Sequence, residues 1–239
     1  VIEGGKNQKQ EPAYGADILR LWVSSVDYSS DVPLGKNILK QIADIYRKIR
    51  NTARFLLGNI HDFDPAKDAV AYEDMPELDR YMLHRMTEVF AEVQDGFDKF
   101  QYFRFFQTIQ NFCVVDLSNF YLDIAKDRLY ISGTDAFRRR SCQTVLVVAV
   151  ESLAKAIAPV LPHMAEDIWQ NLPYPTAYKS VFESGWVKLE EKWHNPELVK
   201  LWEELRKTRT EVNKVLEKAR AEKAIGAPLE AKVLLYVKD

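Results

Sequence analysis

The sequence predicts an all-α fold, a helical bundle that carries a small C-terminal extension made of one helix and one strand. Apolar residues recur at steps of three, four and seven through several long segments, which is the spacing of a buried helix face. Nine glycines in 239 residues are few for a loop-rich or all-β protein, and 47% hydrophobic residues are enough to fill a core. One segment, VLVVAVESLAKAIA, is almost wholly apolar, so we expect its helix to lie deep in the bundle.

The first elements are a linker and two helices. Residues 1–14 are polar and contain two glycines and a proline, so they are interpreted as a linker. Residues 15–28, GADILRLWVSSVDY, form a short helix with apolar residues near one face. Pro33 and Gly35 separate it from a second helix at 38–60, where isoleucines repeat at helical steps.

The third and fourth helices are longer. Asp74 and Glu77 have the spacing of a capping box, with Pro76 in the first turn, and an apolar stripe continues to Phe97. The fourth helix is expected at 101–130. Its last part, SNFYLDIAKDRLY, is first aromatic and apolar and then charged, as expected of a helix that passes from a bundle interior to a working surface.

A fifth helix and a short sixth helix complete the predicted bundle. Gly133 ends the fourth helix, and Thr134 is expected to cap a fifth helix that runs through Ala158. Two prolines then break the chain before a short helix at 163–171. The bundle is therefore predicted to span residues 15–172.

The C-terminal part of the chain has a different composition. Residues 173–194 are rich in Pro, Tyr, Ser and Trp and are interpreted as a connecting segment. Asn195 is expected to cap a long helix with Pro196 at its first position. Residues 229–237 alternate weakly and predict a strand, so 195–239 is interpreted as the start of a further module.

Composition excludes several classes of protein. The formal net charge is −2, so bulk basicity does not indicate a nucleic acid, although local stripes can still bind one. Cys113 and Cys142 lie in apolar helical patterns and are predicted to be buried free thiols in a reducing compartment. Neither a membrane span nor a signal peptide is predicted. The chain lacks an initial methionine and is interpreted as a piece of a longer protein.

No catalytic or metal centre is predicted. The sequence GGKNQKQ lacks the spacing of a phosphate-binding loop, and no nucleophile elbow is present. The four histidines lie far apart, and none pairs with Cys, Asp or Glu at metal-ligand spacing. An independent enzyme is therefore disfavoured.

Basic residues are concentrated in three stretches, residues 36–54, 138–140 and 206–223. Arg47, Arg50 and Arg54 lie at steps of three and four, hence on one helical face, which suits the tracking of a phosphate backbone. Three nearby aromatic residues could stack on unpaired bases: Tyr46, Phe55 and Tyr130.

Each basic stretch also has a purely structural interpretation. A basic helix face is often only a solvated surface. The run from Arg138 to Arg140 begins a helix, where the dipole disfavours cations, so it predicts either an outside anion or a carboxylate from another helix. Lys126, Asp127 and Arg128 can equally form an internal salt-bridge hub, in which Asp127 would neutralise an arginine from a neighbouring helix.

Six segments carry a family resemblance, and they cover the chain in order: GADILRLWVSSVDYSSDV, YRKIRNTARFLLGN, FCVVDLSNFYLDIAKDRLY, RRRSCQTVL, APVLPHMAEDIW and LEKARAEKAIGAPLEAKV. They resemble the anticodon-binding region of isoleucyl-tRNA synthetases, which are class I aminoacyl-tRNA synthetases. Valyl- and leucyl-tRNA synthetases share this bundle, but the segments RNTARFLLGN and LDIAKDRLY are similar to the isoleucyl type.

The resemblance implies that the parent is an enzyme and that this piece is catalytically inactive. The parent would join isoleucine to its tRNA with ATP and magnesium, whereas the ATP-site motifs and the editing domain of the family are missing here. No cofactor is expected in this piece. Bacterial members often carry a cysteine-ligated zinc module near the C-terminus, and no such cysteine cluster occurs in this chain.

The resemblance also implies a partner, isoleucine tRNA, and a monomer in the cytoplasm or an organelle, without a membrane. The residues expected to contact the tRNA are basic or amide-bearing: Arg47, Arg50, Asn51, Arg54, Lys126, Arg128, Arg138, Arg139 and Arg140. The alternatives are the same domain of a valyl- or leucyl-type synthetase, or a helical scaffold that binds another protein.

Overall fold

In the computed structural model of the chain, the described residues are 13–236, so most of the expected linker lies outside them. The chain divides into two compact units, one that ends at His194 and one that begins at Asn195. Within residues 13–236 the regular structure is helical and no strand is present, which agrees with the predicted all-α fold.

The first unit contains eight α-helices in its described part: α1 (Ala16–Ser24), α2 (Lys36–Asn59), α3 (Pro65–Asp68), α4 (Glu77–Asp98), α5 (Tyr102–Asn111), α6 (Leu122–Tyr130), α7 (Phe137–Ile157) and α8 (Pro162–Gln170). A π-helical segment, Phe112–Tyr121, joins α5 to α6. The predicted connecting segment contains two short 3₁₀ turns, Val181–Glu183 and Glu191–Trp193. No helix in residues 13–236 is long and apolar enough to cross a lipid bilayer.

The core lies around α7, as the apolar sequence of this helix predicts. α7 packs against α2, α4, α6 and α8, and most of its residues are buried. Val145, Leu146 and Leu153 are fully inaccessible to solvent. A helix that is apolar on nearly all sides is expected to be surrounded by other helices, because no polar face remains to meet water.

The predicted fourth helix is continuous from Tyr102 to Tyr130, but its middle is π-helical. In this middle segment the Ser118 hydroxyl donates a hydrogen bond to the carbonyl of Cys113, five residues earlier, over 2.8 Å. The same hydroxyl lies 3.2 Å from the hydroxyl of Thr52 on α2. π-Helical turns are rare in proteins, and those that occur are often found at functional sites.

Two predicted helix caps are wrong. Asp74 lies in its own 3₁₀ turn, Tyr72–Asp74, so α4 begins after Pro76, which provides no side-chain cap. Thr134 does not cap α7, because the chain first makes a turn in which the amide of Ala136 donates to the carbonyl of Gly133. The helix α7 then begins at Phe137, with Ala136 at the N-cap.

The second unit contains α9 (Pro196–Ala221) and a 3₁₀ turn, Pro228–Glu230. The predicted cap is confirmed, because the Asn195 side chain accepts a hydrogen bond from the amide of Leu198 over 3.1 Å. The strand expected at 229–237 is not confirmed. Residues 231–236 have no regular structure, and Val237 lies outside the described residues.

The two cysteines are free and buried, as predicted. Burial raises the pKa of both thiols to about 12, so they remain protonated at neutral pH. They are therefore packing residues rather than nucleophiles.

Candidate nucleic-acid interface

The exposed face of α2 presents the predicted basic stripe. Leu39, Ile49 and Leu56 are buried on the inner face, which turns the polar residues of the helix outward. Four predicted site residues are exposed there: Arg47, Arg50, Asn51 and Arg54.

Two of these arginines have no partner of opposite charge among the described residues. Arg47 forms an ion pair with Asp44 one turn earlier on α2. Within residues 13–236 no carboxylate lies in ion-pair range of Arg50 or Arg54. Because a paired surface cation contributes little free charge, Arg50 and Arg54 are the strongest candidates on α2 for phosphate contact.

A groove of about 400 Å³ lies between α2 and the helix that contains the π-helical segment. It brings together Asn51 and Lys126, two predicted site residues from distant parts of the sequence. Seven further residues line it: Lys48, Thr52, Phe55, Val114, Ser118, Asn119 and Leu122. Lys126 is half exposed and forms an ion pair with Asp123 over 3.2 Å.

Arg128 faces a buried carboxylate instead of solvent. Its guanidinium donates to both carboxylate oxygens of Asp79, at 3.0 and 3.2 Å. Asp79 is fully buried and also accepts hydrogen bonds from the hydroxyls of Tyr121 (2.8 Å) and Ser141 (2.6 Å). Burial raises the pKa of Asp79, while the Ser141 hydroxyl and the Arg128 guanidinium act in the opposite direction. Arg128 is therefore in an internal salt bridge, as the structural alternative predicted, but the carboxylate is Asp79 of α4. Asp127, which was expected to neutralise an arginine, is exposed and forms no ion pair with the described residues.

Arg139 and Arg140 also find carboxylates inside the protein. The Arg139 guanidinium, 8% exposed, forms a two-pronged pair with Asp62 at 2.7 and 3.0 Å. Arg140 donates to the backbone carbonyl of Asp62 over 2.9 Å and to the carboxylate of Asp135 over 3.2 Å. Hydrogen bonds from Arg139 hold the pKa of Asp62 well below its usual value. The predicted carboxylate from another helix is Asp68 of α3, which lies 3.5 Å from Arg140, whereas Asp62 lies in the turn after α2. These pairs favour a carboxylate of the protein over an outside anion.

Arg138 differs from its two neighbours. Its side chain is exposed, and none of the described carboxylates pairs with it. The three-arginine run therefore contains two residues that bind the loop around Asp62 and one that faces solvent.

Replacing Asp62 with asparagine should lower the free energy of unfolding by about 2–3 kcal/mol at pH 7, because Arg139 loses its charged partner. The folded-state pKa of Asp62 is lowered, so this stabilisation is present above about pH 4 and is lost as the pH falls toward the folded value. Urea unfolding of both proteins between pH 7 and pH 3 should show the difference narrowing below about pH 4.

Asp135→Asn is the matched control, since that carboxylate also contacts Arg140 but its side chain is 92% exposed. It should change the free energy of unfolding by less than about 0.5 kcal/mol. A difference between Asp62→Asn and the unmodified chain that stays constant down to pH 3 would contradict the role given to the Asp62 charge.

A protein-family model matches more than half of the chain. Residues 79–235 match the model of the anticodon-binding domain of tRNA ligases. The chain belongs to this family. The matched range begins at Asp79, the buried carboxylate that holds Arg128, and covers the π-helical segment, α6, α7 and α9 of the anticodon-binding domain.

Individual relatives of this anticodon-binding domain are similar along its whole length. It is 73% identical to the isoleucine–tRNA ligase of a Synechococcus strain, 74% to that of Crocosphaera subtropica and 77% to that of Rippkaea orientalis. Each match covers 100% of this chain and 25% of the relative. The chain therefore spans about a quarter of the length of the curated relatives it matches.

Sequence reasoning missed part of the groove in the anticodon-binding domain. Five lining residues were not predicted to be functional: Thr52, Val114, Ser118, Asn119 and Leu122. A signal was available for three of them, because Val114, Ser118 and Leu122 lie four residues apart in a series that ends at the predicted Lys126, whereas Asn119 lies outside this series. The described residues contain no group of three His, Cys, Asp or Glu side chains placed to hold a metal ion.

Proposed function

We propose that this chain is the part of an isoleucine–tRNA ligase that binds the anticodon stem-loop of isoleucine tRNA. The observation that carries the proposal is the 73–77% identity along the whole chain to ligases of that name, combined with membership in the anticodon-binding family. This degree of identity favours the isoleucyl type over the valyl and leucyl alternatives.

The mechanism in this proposal is positioning. Arg50 and Arg54 contact phosphates from α2, with Arg47, Lys126 and Arg138 as further exposed cations. Binding releases counterions from the RNA, which supplies affinity without sequence information. Asn51 offers both a donor and an acceptor to a base edge.

The bond-forming chemistry belongs to the parent enzyme. The parent would use ATP and Mg²⁺ to join isoleucine to the tRNA, in the cytoplasm and as a monomer, with any zinc module in a separate part. This chain alone is expected to bind tRNA without aminoacylating it. Arg128, Arg139 and Arg140 are assigned in this proposal to the stability of the bundle rather than to RNA contact.

Binding of this chain to isoleucine tRNA and to a non-cognate tRNA, across a salt series, tests the proposal. We expect tighter binding of isoleucine tRNA and a logarithmic salt slope that grows by about 0.7–0.9 for each phosphate contact. Equal affinity for both tRNAs, with a steep dependence on salt, would support an RNA-binding bundle that does not itself select isoleucine tRNA. No binding at low salt would favour the protein-interaction scaffold and contradict the proposal.

A further inference from the structure

We infer that a second groove of the first unit binds a small carboxylate that carries an aromatic or branched aliphatic group. This groove lies between α1, the junction of α4 with α5 and the turn that joins α7 to α8. It is lined by Leu19, Arg20, Val23, Ser24, Phe97, Tyr102, Pro159 and Val160, none of which lines the groove beside α2. The inference goes beyond the proposed function, because such a ligand would bind without RNA.

The groove has the size of a small-molecule site. Its volume of about 510 Å³ lies within the roughly 300–1,000 Å³ that is typical of such sites. A stable protein partner usually engages about 20–30 residues on each side, whereas eight residues line this groove. A single ring or a short branched chain with one polar end therefore fits the groove better than a protein segment.

Most of the groove is apolar. Leu19 and Val23 lie one turn apart on α1, and the Val23 side chain is 51% exposed. Val160, from the turn before α8, is buried. Water that meets these side chains is released when the apolar part of a ligand takes its place, which favours binding. The interior therefore selects for a hydrocarbon group.

The aromatic wall of the groove is in place before a ligand binds. The rings of Phe97 and Tyr102 lie 5.9 Å apart in an edge-to-face arrangement. Tyr28 packs against Tyr102 at 5.9 Å, and Trp186 packs against Phe97 at 5.6 Å. A further ring can join such a cluster in the tilted geometry that aromatic rings prefer. Because the wall is already ordered, binding costs little conformational entropy.

The turn after α4 is strained beside this cluster. Phe100 has a φ of 56°, in the left-handed region where glycine or asparagine usually ends a helix. Its ring lies 6.5 Å from that of Tyr102 and is mostly exposed, so burial among the described residues does not offset the strain. The Tyr28 hydroxyl donates to the Phe100 carbonyl over 2.9 Å and holds the turn in place. Strain of this kind is concentrated at functional and ligand-binding sites.

One cation determines the charge of the ligand. The Arg20 guanidinium donates from Nε to the carbonyl of Val160 over 2.9 Å and from Nη2 to that of Pro159 over 2.7 Å. These carbonyls orient the guanidinium without neutralising it, and no carboxylate within residues 13–236 lies in ion-pair range of Arg20. No acidic residue is among those that line the groove. The groove therefore combines an apolar interior with an uncompensated positive charge.

The donors that remain suit a carboxylate. Nη1 of Arg20 makes no hydrogen bond to the described residues, so its N–H groups can bind an anion. The Tyr102 hydroxyl likewise has no hydrogen-bond partner in the described part of the chain. A guanidinium matches a carboxylate in both charge and planar shape. Arg20 is therefore expected to bind the carboxylate, with the hydrocarbon group against Phe97 and Val23.

The test titrates the full 239-residue chain with hydrocinnamate, a phenyl ring joined to a carboxylate by a short chain, and with its uncharged amide. Isothermal titration calorimetry gives the dissociation constants. Arg20→Gln removes the positive charge, and Val23→Asp places a carboxylate at the groove. Arg220→Gln and Val115→Asp are the matched controls, because they make the same exchanges at exposed positions outside the groove. Melting temperatures check that every variant is folded.

We expect hydrocinnamate to bind the unmodified chain with a dissociation constant of about 1 mM or lower, and the amide to bind about tenfold more weakly. Arg20→Gln should weaken binding of hydrocinnamate about tenfold and leave that of the amide unchanged, which a general disruption of the groove would not do. Val23→Asp should weaken binding of hydrocinnamate more than that of the amide, because like charges repel. Both control variants should bind as the unmodified chain does.

Two results would overturn the inference. Equal affinity for hydrocinnamate and its amide, or an affinity for hydrocinnamate that Arg20→Gln leaves unchanged, would show that Arg20 does not bind the carboxylate. Absence of binding of both compounds at millimolar concentration would show that the groove is not a small-molecule site. Neither result bears on RNA binding, which the salt series tests separately.

Discussion

Replacing Asp79 with alanine should lower the free energy of unfolding by about 3–5 kcal/mol, because the substitution leaves a largely buried guanidinium without its counter-charge. Asp79 is 0% exposed and accepts hydrogen bonds from Arg128, Tyr121 and Ser141, which lie on α6, the π-helical segment and α7. One side chain of α4 therefore joins three other elements, and its loss leaves several buried donors unsatisfied at once. Urea unfolding monitored by circular dichroism measures the change.

Glu77→Ala is the matched control for this prediction. Glu77 is an exposed acid in the same first turn of α4, so its loss removes only a favourable interaction with the helix dipole. That loss should amount to about 0.3–1 kcal/mol. Equal destabilisation by the two substitutions would show that the buried network contributes nothing beyond the charge at the helix start.

Arg128→Met separates the two interpretations of Arg128. If Arg128 acts as the partner of Asp79, the substitution should lower the free energy of unfolding and leave the RNA affinity of the folded protein nearly unchanged. If Arg128 instead contacts the RNA, the substitution should lower the affinity for RNA and leave the free energy of unfolding unchanged. The exposed fraction of its side chain is only 19%, and both carboxylate oxygens of Asp79 lie within 3.2 Å, so we expect the first result.

The helices could be predicted because their signal is local. Buried faces repeat along the sequence, as in α7, and a cap such as Asn195 acts on an amide three residues away. The two wrong caps have a different cause. Asp74 and Thr134 have side chains suited to capping, but each lies within a short turn of its own, and the helix begins after that turn, with Pro76 or Ala136 at the N-cap.

The basic helix faces of the site could be predicted, but the partners of their cations could not, because ion pairs join residues that are far apart in the sequence. Arg128 and Asp79 are separated by 49 positions, and Arg139 and Asp62 by 77. Spacing identifies a basic helix face, but it cannot say which of its cations meets a carboxylate after folding. Arg50 and Arg139 look alike in the sequence, yet one is exposed and the other is almost fully buried.

This difference leads to the largest expected effect on binding. Replacing both Arg50 and Arg54 with alanine should weaken binding of isoleucine tRNA at least tenfold at physiological salt, and should reduce the logarithmic salt slope by about 1.4–1.8. The free energy of unfolding should change by less than about 0.5 kcal/mol, since both side chains are exposed and no described carboxylate pairs with either. Filter binding across a salt series and urea unfolding measure the two quantities.

A double variant with the same loss of charge provides the control. Lys67→Ala combined with Lys99→Ala removes two exposed lysines. Lys67 pairs with Asp64 at the start of α3 over 2.8 Å, and Lys99 pairs with Asp95 near the end of α4 over 2.7 Å. If RNA binding depended only on net charge, both double variants would lose the same affinity. If instead the pair on α2 contacts phosphates directly, only its loss should reduce the salt slope, because counterions are released where a cation meets the RNA. A fall in stability with unchanged binding for the α2 pair would make Arg50 and Arg54 structural residues, and would move the RNA-binding surface away from α2.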